Sequence, residues 1–242
     1  MREILFDGAK KLGIEMDNDK ADKLIKYAQM LVEWNEKINL TAITDKEGIA
    51  TKHFLDSMSA AVTGKLKGKV IDVGCGAGFP GLVLKIVCPE IELVLFDSLK
   101  KRITFLDEVI KELGLSGVKT VHMRAEDGGK NPELRANFDT VVSRAVANMG
   151  VLSEWCIPFL KEGGHFLALK GPAAEDEIKS AKRGISILGG EVEEIKDIEI
   201  PFTDLSHKIV IVKKVRQTPM KYPRKPGIAT KNPVGTCYNL SK

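Results

Sequence analysis

One short run, Asp72-Val-Gly74-Cys-Gly76-Ala-Gly78-Phe-Pro-Gly81, carries the residue types most able to hold a ligand. Glycines at 74, 76 and 78 let a chain turn tightly from strand into helix and bring its backbone close to a bound molecule. Gly76-x-Gly78-x-x-Gly81, with Asp97 about 20 residues further on, satisfies the dinucleotide fingerprint, in which backbone amides are aimed at a pyrophosphate. Asp97 ends the run Leu-Val-Leu-Phe-Asp and is expected to accept hydrogen bonds from ribose hydroxyls. Ala125-Glu126 offers a backbone amide and a carboxylate to an adenine edge, although a carboxylate at a helix start also has a purely structural use. His53 and Asp56, three apart, have acid and base chemistry. Their expected role is to pack one helix onto the edge of the ligand site.

These residues need a scaffold that gathers them, and the rest of the sequence supplies its pattern. Strand-like runs at 69–73, 91–96, 117–123, 138–142 and 164–169 alternate with helical stretches, notably 100–113 and 173–188. That alternation predicts βαβ units and a parallel sheet covered by helices on both faces. Two further runs, 191–200 and 207–215, have no helix between them and predict an antiparallel pair closing the sheet. Ahead of the sheet, Asp17, Asn18 and Asp19 are cap residues, and Ala21, Leu24, Ile25, Ala28, Leu31 and Val32 recur at helical steps. A second helix is expected over 45–62. The expected organisation is a helical cap over 1–64, a Rossmann-like domain over 65–216 and a loop-like basic tail over 217–242.

The chain has 242 residues, 43% hydrophobic and 29% charged, which suits a globular core. No uncharged apolar run approaches the roughly 18 residues of a membrane helix, and the first residues lack a signal-peptide pattern. Cys75, Cys88, Cys156 and Cys237 are scattered without metal spacing, so no metal site is expected and the cytoplasm is the expected compartment. Asn39 and Asn239 begin glycosylation triplets, which count as chance matches without secretion. The formal charge of +4 is unevenly placed: nine of the 37 Lys and Arg follow Asp204 and no acid does. The remaining 28 face all 33 Asp and Glu, leaving the body near −5. A polyanionic partner bound by the tail is one reading, and a solvated tail is the other.

The pattern Asp-x-Gly-x-Gly-x-Gly resembles the S-adenosylmethionine loop of Rossmann-like methyltransferases, whose ligand has no phosphate. Around it stand Trp34-Asn35-x-x-Ile38-Asn39-Leu40-Thr41, His53-Phe-Leu55-Asp56-Ser57, Asp97-Ser98, Lys101-Arg102, Ser143-Arg144-Ala145, Leu169-Lys170-Gly171 and Tyr222-Pro-Arg224-Lys225-Pro-Gly227. Together, over about residues 20–235, they resemble the bacterial 16S ribosomal RNA guanine-N7 methyltransferases, formerly called glucose-inhibited division protein B. Lys52 and Ala229 depart from that pattern, standing where Arg and Pro are more usual.

The resemblance implies a Rossmann-like S-adenosylmethionine-dependent methyltransferase fold, with a mostly parallel seven-stranded sheet, an antiparallel closing pair and an N-terminal helical cap. It implies S-adenosylmethionine as donor and one guanosine of 16S ribosomal RNA, position 527, as acceptor, in free RNA or the small subunit, with a monomeric enzyme and no membrane. Family cofactor contacts fall on Gly74, Phe79, Ala125, Glu126 and Arg144, beside Gly76, Gly78 and Asp97 of the loop reading. Arg144 can serve guanine O6, an RNA phosphate, the cofactor carboxylate or a loop ion pair. Lys170, Arg224 and Lys225 are the RNA-binding candidates, while Trp34 and Trp155 are expected in the core. Guanine N7 has an in-plane lone pair and no proton, so its methylation needs positioning and no general base. An NAD(P)-dependent oxidoreductase and a non-catalytic RNA-binding protein remain the alternatives.

Overall fold

The computed structural model describes residues 1–204 and 206–236; Cys237 and Asn239, noted above, and Lys242, one of the nine cations counted after Asp204, lie outside them. The chain begins with α1 (Arg2–Lys11) and α2 (Asn18–Asn35). Asp17 caps α2 by accepting from the Lys20 amide at 2.8 Å, which satisfies one of the orphan donors of the first turn. The buried face of α2 is Ala21, Leu24, Tyr27, Ala28, Met30 and Leu31. The helix expected over 45–62 is composite: α3 (Lys46–Gly48) runs through a π-helical turn, Ile49–Leu55, into α4 (Asp56–Met58). Asp45 caps it, accepting from the Gly48 amide at 2.7 Å.

From Lys69 the chain alternates as its apolar runs require. The strands are β1 (Lys69–Val73), β2 (Glu92–Asp97), β3 (Val118–His122), β4 (Phe138–Arg144) and β5 (Leu160–Lys170). Between and after them lie α5 (Gly81–Val87), α6 (Lys100–Glu112), α7 (Ala125–Gly128), α8 (Met149–Cys156) and α9 (Ala174–Ile187). β6 (Gly190–Glu199) and β7 (Ser206–Lys214) follow. The seven strands lie in the order β3-β2-β1-β4-β5-β7-β6, with β7 antiparallel to both β5 and β6. Strand β1 is buried along Val70–Val73 because helices cover both faces of the sheet, whereas β3, at one edge, is only partly covered.

Two apolar cores result, one on each face. Leu5, Leu24, Tyr27, Phe54 and Phe105 join the helical cap and α6 to one face, and Phe138, Phe159, Phe166, Leu152 and Ile185 join α8 and α9 to the other. Between β1 and β4 the strand order reverses, and a crevice opens there beyond the carboxyl ends of the parallel strands.

The C-terminal segment differs from the loop-like tail expected of its prolines. After β7 it runs back over α7, α8 and α9 as a docked strap containing the short helix α10 (Ile228–Lys231). Arg135 fastens it by donating to the Tyr222 and Thr218 carbonyls at 2.7 and 2.6 Å. Three glycines leave room for it. A Cβ at Gly129 would lie 2.6 Å from the Pro223 ring, and one at Gly150 3.0 Å from Pro233. At Gly184 a Cβ would overlap the Val234 carbonyl oxygen. A backbone atom cannot swing aside as a side chain can, so Gly184→Ala is expected to cost about 1–3 kcal/mol and to make residues 216–236 more sensitive to protease. Gly171→Ala, where a Cβ meets open space, should do neither. Thermal unfolding and limited proteolysis of the two variants check the difference.

Candidate functional site

The crevice at the switch point is a cleft of about 640 Å³, lined by Gly74, Cys75, Gly76, Ala77 and Phe79 of the glycine loop, by Asp97, Ala125, Glu126 and Arg144, and by Leu40, Thr41 and His53 from the cap. Gly78, expected as a cofactor contact, faces Tyr27 and Leu82 of the core instead. Gly74, Gly76 and Gly78 all have positive φ (74°, 58° and 98°), so the alternation of glycines follows from a backbone that L side chains rarely adopt. Their surroundings differ. A Cβ on Gly74 would meet Val146 at 2.7 Å, and one on Gly78 would meet Tyr27 and Leu82; beside Gly76 nothing lies nearer than 4.0 Å. Gly76 therefore leaves the most open space of the three, and a side chain at Gly74 is excluded by φ and by Val146.

The amides of this loop decide between the two cofactor chemistries. Gly74 and Cys75 donate to the Phe96 carbonyl, and Gly78 and Phe79 to the Cys75 carbonyl. Gly76 donates to Asp97 at 3.0 Å and Gly81 to Asp72 at 2.7 Å. Pro80 has no N–H. A pyrophosphate would find the start of α5 already occupied by the Asp72 carboxyl, which removes the feature a dinucleotide loop relies on. S-adenosylmethionine makes no such demand, and the cleft suits its mixed charge. Asp97 and Glu126 supply carboxylates; Arg102, Arg124 and Arg144 supply guanidiniums. Glu126 is only 7% exposed, and its carboxylate has no hydrogen bond or ion pair among the described residues. A buried acceptor of that kind is ready for a ligand's donors.

Asp97, at the end of β2, holds the loop as well as facing the cleft. Its Oδ2 accepts from Gly76 and, at 3.2 Å, from Arg102; its Oδ1 accepts from the Leu99 amide at 2.9 Å. The loop's other face is held by the cap, where the buried Tyr27 hydroxyl donates to the Ala77 carbonyl. Burial, first, and then the neighbouring Cys75 push the Tyr27 hydroxyl well above its usual range, keeping it a donor.

Across the cleft the Phe79 ring is an apolar floor. His53 stacks on it at 4.6 Å between centroids, and the Arg144 guanidinium lies 5.0 Å from the ring centre. Arg144 donates to Asp56 at 2.5 Å, and the other oxygen of Asp56 meets His207 Nδ1 at 2.5 Å. Burial raises the Asp56 carboxyl, but the His207 and Arg144 contacts outweigh it and hold the group below the usual carboxylate range. Burial and the nearby Arg144 charge bring His53 down to about 4, so its ring is neutral at pH 7. His53 Nε2 lies 2.7 Å from Thr41 Oγ1, and Asn35 Oδ1 accepts from the Leu40 and Thr41 amides at 2.7 and 2.9 Å. The Trp34–Thr41 and His53–Ser57 motifs thus build one wall of the cleft, as the expected packing role of His53 and Asp56 requires.

The RNA-binding candidates are placed less simply. Lys170 is held by Glu177 at 2.7 Å and by the Ala147 carbonyl at 2.9 Å. Arg224 is held by Glu154, which is 1% exposed: its Nε and Nη2 donate to the carboxylate at 3.0 and 2.6 Å, and its amide donates at 2.7 Å. Neither cation is a free phosphate contact. Two more of the tail's cations are engaged: Lys208 pairs with Asp197 and Glu175, and Lys214 is buried and brought down to about 7 by desolvation. Lys225 and Lys231 are exposed, and their side chains make no ion pair among the described residues. Trp34 packs against Phe105 at 5.6 Å, as expected of a core residue. Trp155 packs half-buried against the other core, as expected, and also lines the cleft. Tyr27 and Glu154 carry no motif, and their roles appear only through contacts with segments 50 and 70 residues away.

Residues 20–206 match the family model described as GidB, rRNA small subunit methyltransferase G. The chain is 51% identical over 234 residues to the ribosomal RNA small subunit methyltransferase G of Clostridium novyi (strain NT), with 96% of each chain covered. It is 52% identical over 235 residues to the protein of the same name from Clostridium perfringens (strain 13 / Type A), covering 95% of this chain and 98% of that one. Among solved structures, TrmN from Thermus thermophilus is similar with a TM-score of 0.51 at 15% identity, over 69% of this chain and 53% of that chain, a likeness of fold alone.

Asp72 lies behind the loop, fully buried, with Oδ2 bonded to Gly81 and Oδ1 without a partner. Burial, chiefly, raises its carboxyl to about 7. The fold therefore favours the neutral form, and this contribution to stability is full below about pH 4 and lost as pH rises through about 7. Asp72→Asn keeps an acceptor for the Gly81 amide without the titration. It is expected to flatten the fall in melting temperature between pH 5 and 8.5, while Asp72→Leu, which leaves that amide unpaired, should destabilise at every pH. Thermal melts across that range check both.

Proposed function

Because the chain belongs to the rRNA small subunit methyltransferase G family, it is an S-adenosylmethionine-dependent ribosomal RNA methyltransferase, and we propose that its acceptor is N7 of a guanosine in 16S ribosomal RNA. The observation that carries the N7 reading is the state of the groups around Phe79. An exocyclic amine or a hydroxyl must lose a proton when it is methylated, whereas N7 presents a lone pair. His53, brought down to about 4, is a poor proton acceptor at pH 7, and Asp56 is committed to Arg144 and His207. Asp72, which titrates near neutrality, is sealed behind the loop. That set of groups suits a reaction governed by alignment.

When bound, S-adenosylmethionine supplies a methyl group on a cationic sulfonium. The residues of this chain then bind and orient. Asp97 and Glu126 accept the donors of the nucleoside end, Gly76 leaves room beside the backbone, and Arg144 offers donors to a carboxylate. The aromatic wall of Phe79, with His53 stacked on it, gives the in-line geometry a flat, water-poor surface. The reading includes a monomer acting in the bacterial cytoplasm on free RNA or on the small subunit. Lys225 and the exposed Arg124 at the cleft are among the cations left to meet phosphate.

Digestion of methylated small-subunit RNA followed by mass spectrometry is expected to find 7-methylguanosine, a cationic nucleoside whose ring opens in alkali. Methyl on an exocyclic amine would overturn the N7 reading. Lys225→Ala should reduce the salt slope of RNA binding by about 0.7–0.9, one phosphate contact, and leave cofactor affinity unchanged.

A further inference from the structure

The motif Tyr222-Pro-Arg224-Lys225-Pro-Gly227 lies in a basic segment, and basic segments point to nucleic acid. Its position points elsewhere. Gly227 and Thr230 line the same cleft as Asp97 and Glu126, although more than 100 residues of chain separate them from both. The route is structural: α10 packs on α8, α8 packs on α7, and α7 carries Glu126 in its first turn. On this side of the cleft, Trp155 of α8 is the aromatic wall. Its indole N–H is buried and has no hydrogen-bond partner.

The strap is held there by a built contact. Glu154, adjacent in sequence to Trp155, receives the Arg224 amide, Nε and Nη2, and Arg224 Nη2 also donates to the Asn232 carbonyl at 2.7 Å. One buried carboxylate therefore ties the wall residue's helix to both ends of the turn that carries Gly227 and Thr230. Charge-assisted, bidentate pairs of this kind fix geometry as well as adding energy. A segment whose only task was to present charge to RNA would need neither a buried anion for its central arginine nor three glycines cut into neighbouring helices.

We propose that the strap is part of the cofactor-binding site: Thr230 and Gly227, on the same side of the cleft as Trp155, close its nucleoside end, and the Arg224–Glu154 pair is the positioning contact that keeps them there. The proposal rests on the S-adenosylmethionine reading of the cleft. It gives Arg224 a role in cofactor affinity in place of a phosphate contact. It also makes cofactor affinity sensitive to residues outside the glycine loop.

The test is S-adenosylmethionine binding by titration calorimetry, with no RNA present. Thr230 is exposed, so Thr230→Phe leaves the core intact and fills the cleft; the dissociation constant should rise about tenfold or more. Arg224→Ala, which frees the strap and leaves Glu154 unpaired, should raise it by a similar factor. Should Arg224→Ala fail to fold, Thr230→Phe still decides. The chain has two tryptophans, so in a Trp34→Phe background the emission of Trp155 should change when S-adenosylmethionine is added and saturate with its binding. Wild-type affinity in Thr230→Phe, or unchanged Trp155 emission at saturating cofactor, would overturn the proposal while leaving the methyltransferase reading intact. Failure of the wild-type protein to bind S-adenosylmethionine at all would remove both.

Discussion

The structure depends on a glycine loop whose backbone is held from every side. Its amides go to the Phe96 and Cys75 carbonyls, to Asp97 and to Asp72, and its Ala77 carbonyl accepts from Tyr27. Three residues of positive φ in five would otherwise be a flexible turn, because glycine gains most from disorder. Pinning them costs conformational entropy and is offset by bonds from β2, from α2 and from the acid that precedes the loop. The helical cap is therefore more than a cover. Tyr27 makes it a wall of the loop, and Phe54, Phe105 and Phe79 around that ring make the contact apolar and dry.

The same interaction explains why one short pattern served two cofactor readings and why the fold separates them. In a linear sequence, glycine spacing reports where a backbone must turn. It does not report where the amides point. Asp72 occupies the helix start that a pyrophosphate would use, and this follows from the acid standing at the end of a buried strand with α5 packed close: a Cβ at Gly81 would lie 2.8 Å from Asp72 and Leu95. The acid ahead of the glycines is thus an internal ligand of the fold, a use that spacing alone could not distinguish from ligand binding.

What was legible in the sequence was whatever repeats. Strands β1, β2, β4 and β7 and helices α2, α6 and α9 fall within a few residues of the expected spans, because apolar periodicity and cap residues are local signals. Asp97 and Glu126 line the cleft for the same reason, since strand ends and helix starts are where such signals stop. The π-helical turn at Ile49–Leu55 was hidden, because an apolar stripe at helical steps does not reveal one extra residue per turn. Charge misled most. Nine cations after Asp204 read as a surface, but Arg224 and Lys208 are paired and Lys214 is buried, and their partners Glu154, Glu175 and Asp197 lie in earlier elements that no count of the tail includes.

Arg144 is held by the fold and still keeps donors free at the cleft. Its Nη1 is committed to Asp56 and to the Lys52 carbonyl, and its Nη2 reaches His53 Nδ1 only at 3.4 Å. A guanidinium has five N–H donors in a fixed fork, so Nε and one N–H of Nη2 stay available on the side away from Asp56. A second anion could be taken there without breaking the first pair, and the buried Asp56 supplies the negative charge that compensates the guanidinium. A lysine at 144 would have to choose between the two anions, because its three donors radiate from one point. The Asp56–His207 contact then acts on the cleft at one remove: it fixes the carboxylate that fixes the fork, and so ties the antiparallel strand β7 to a site whose lining includes no residue of β7.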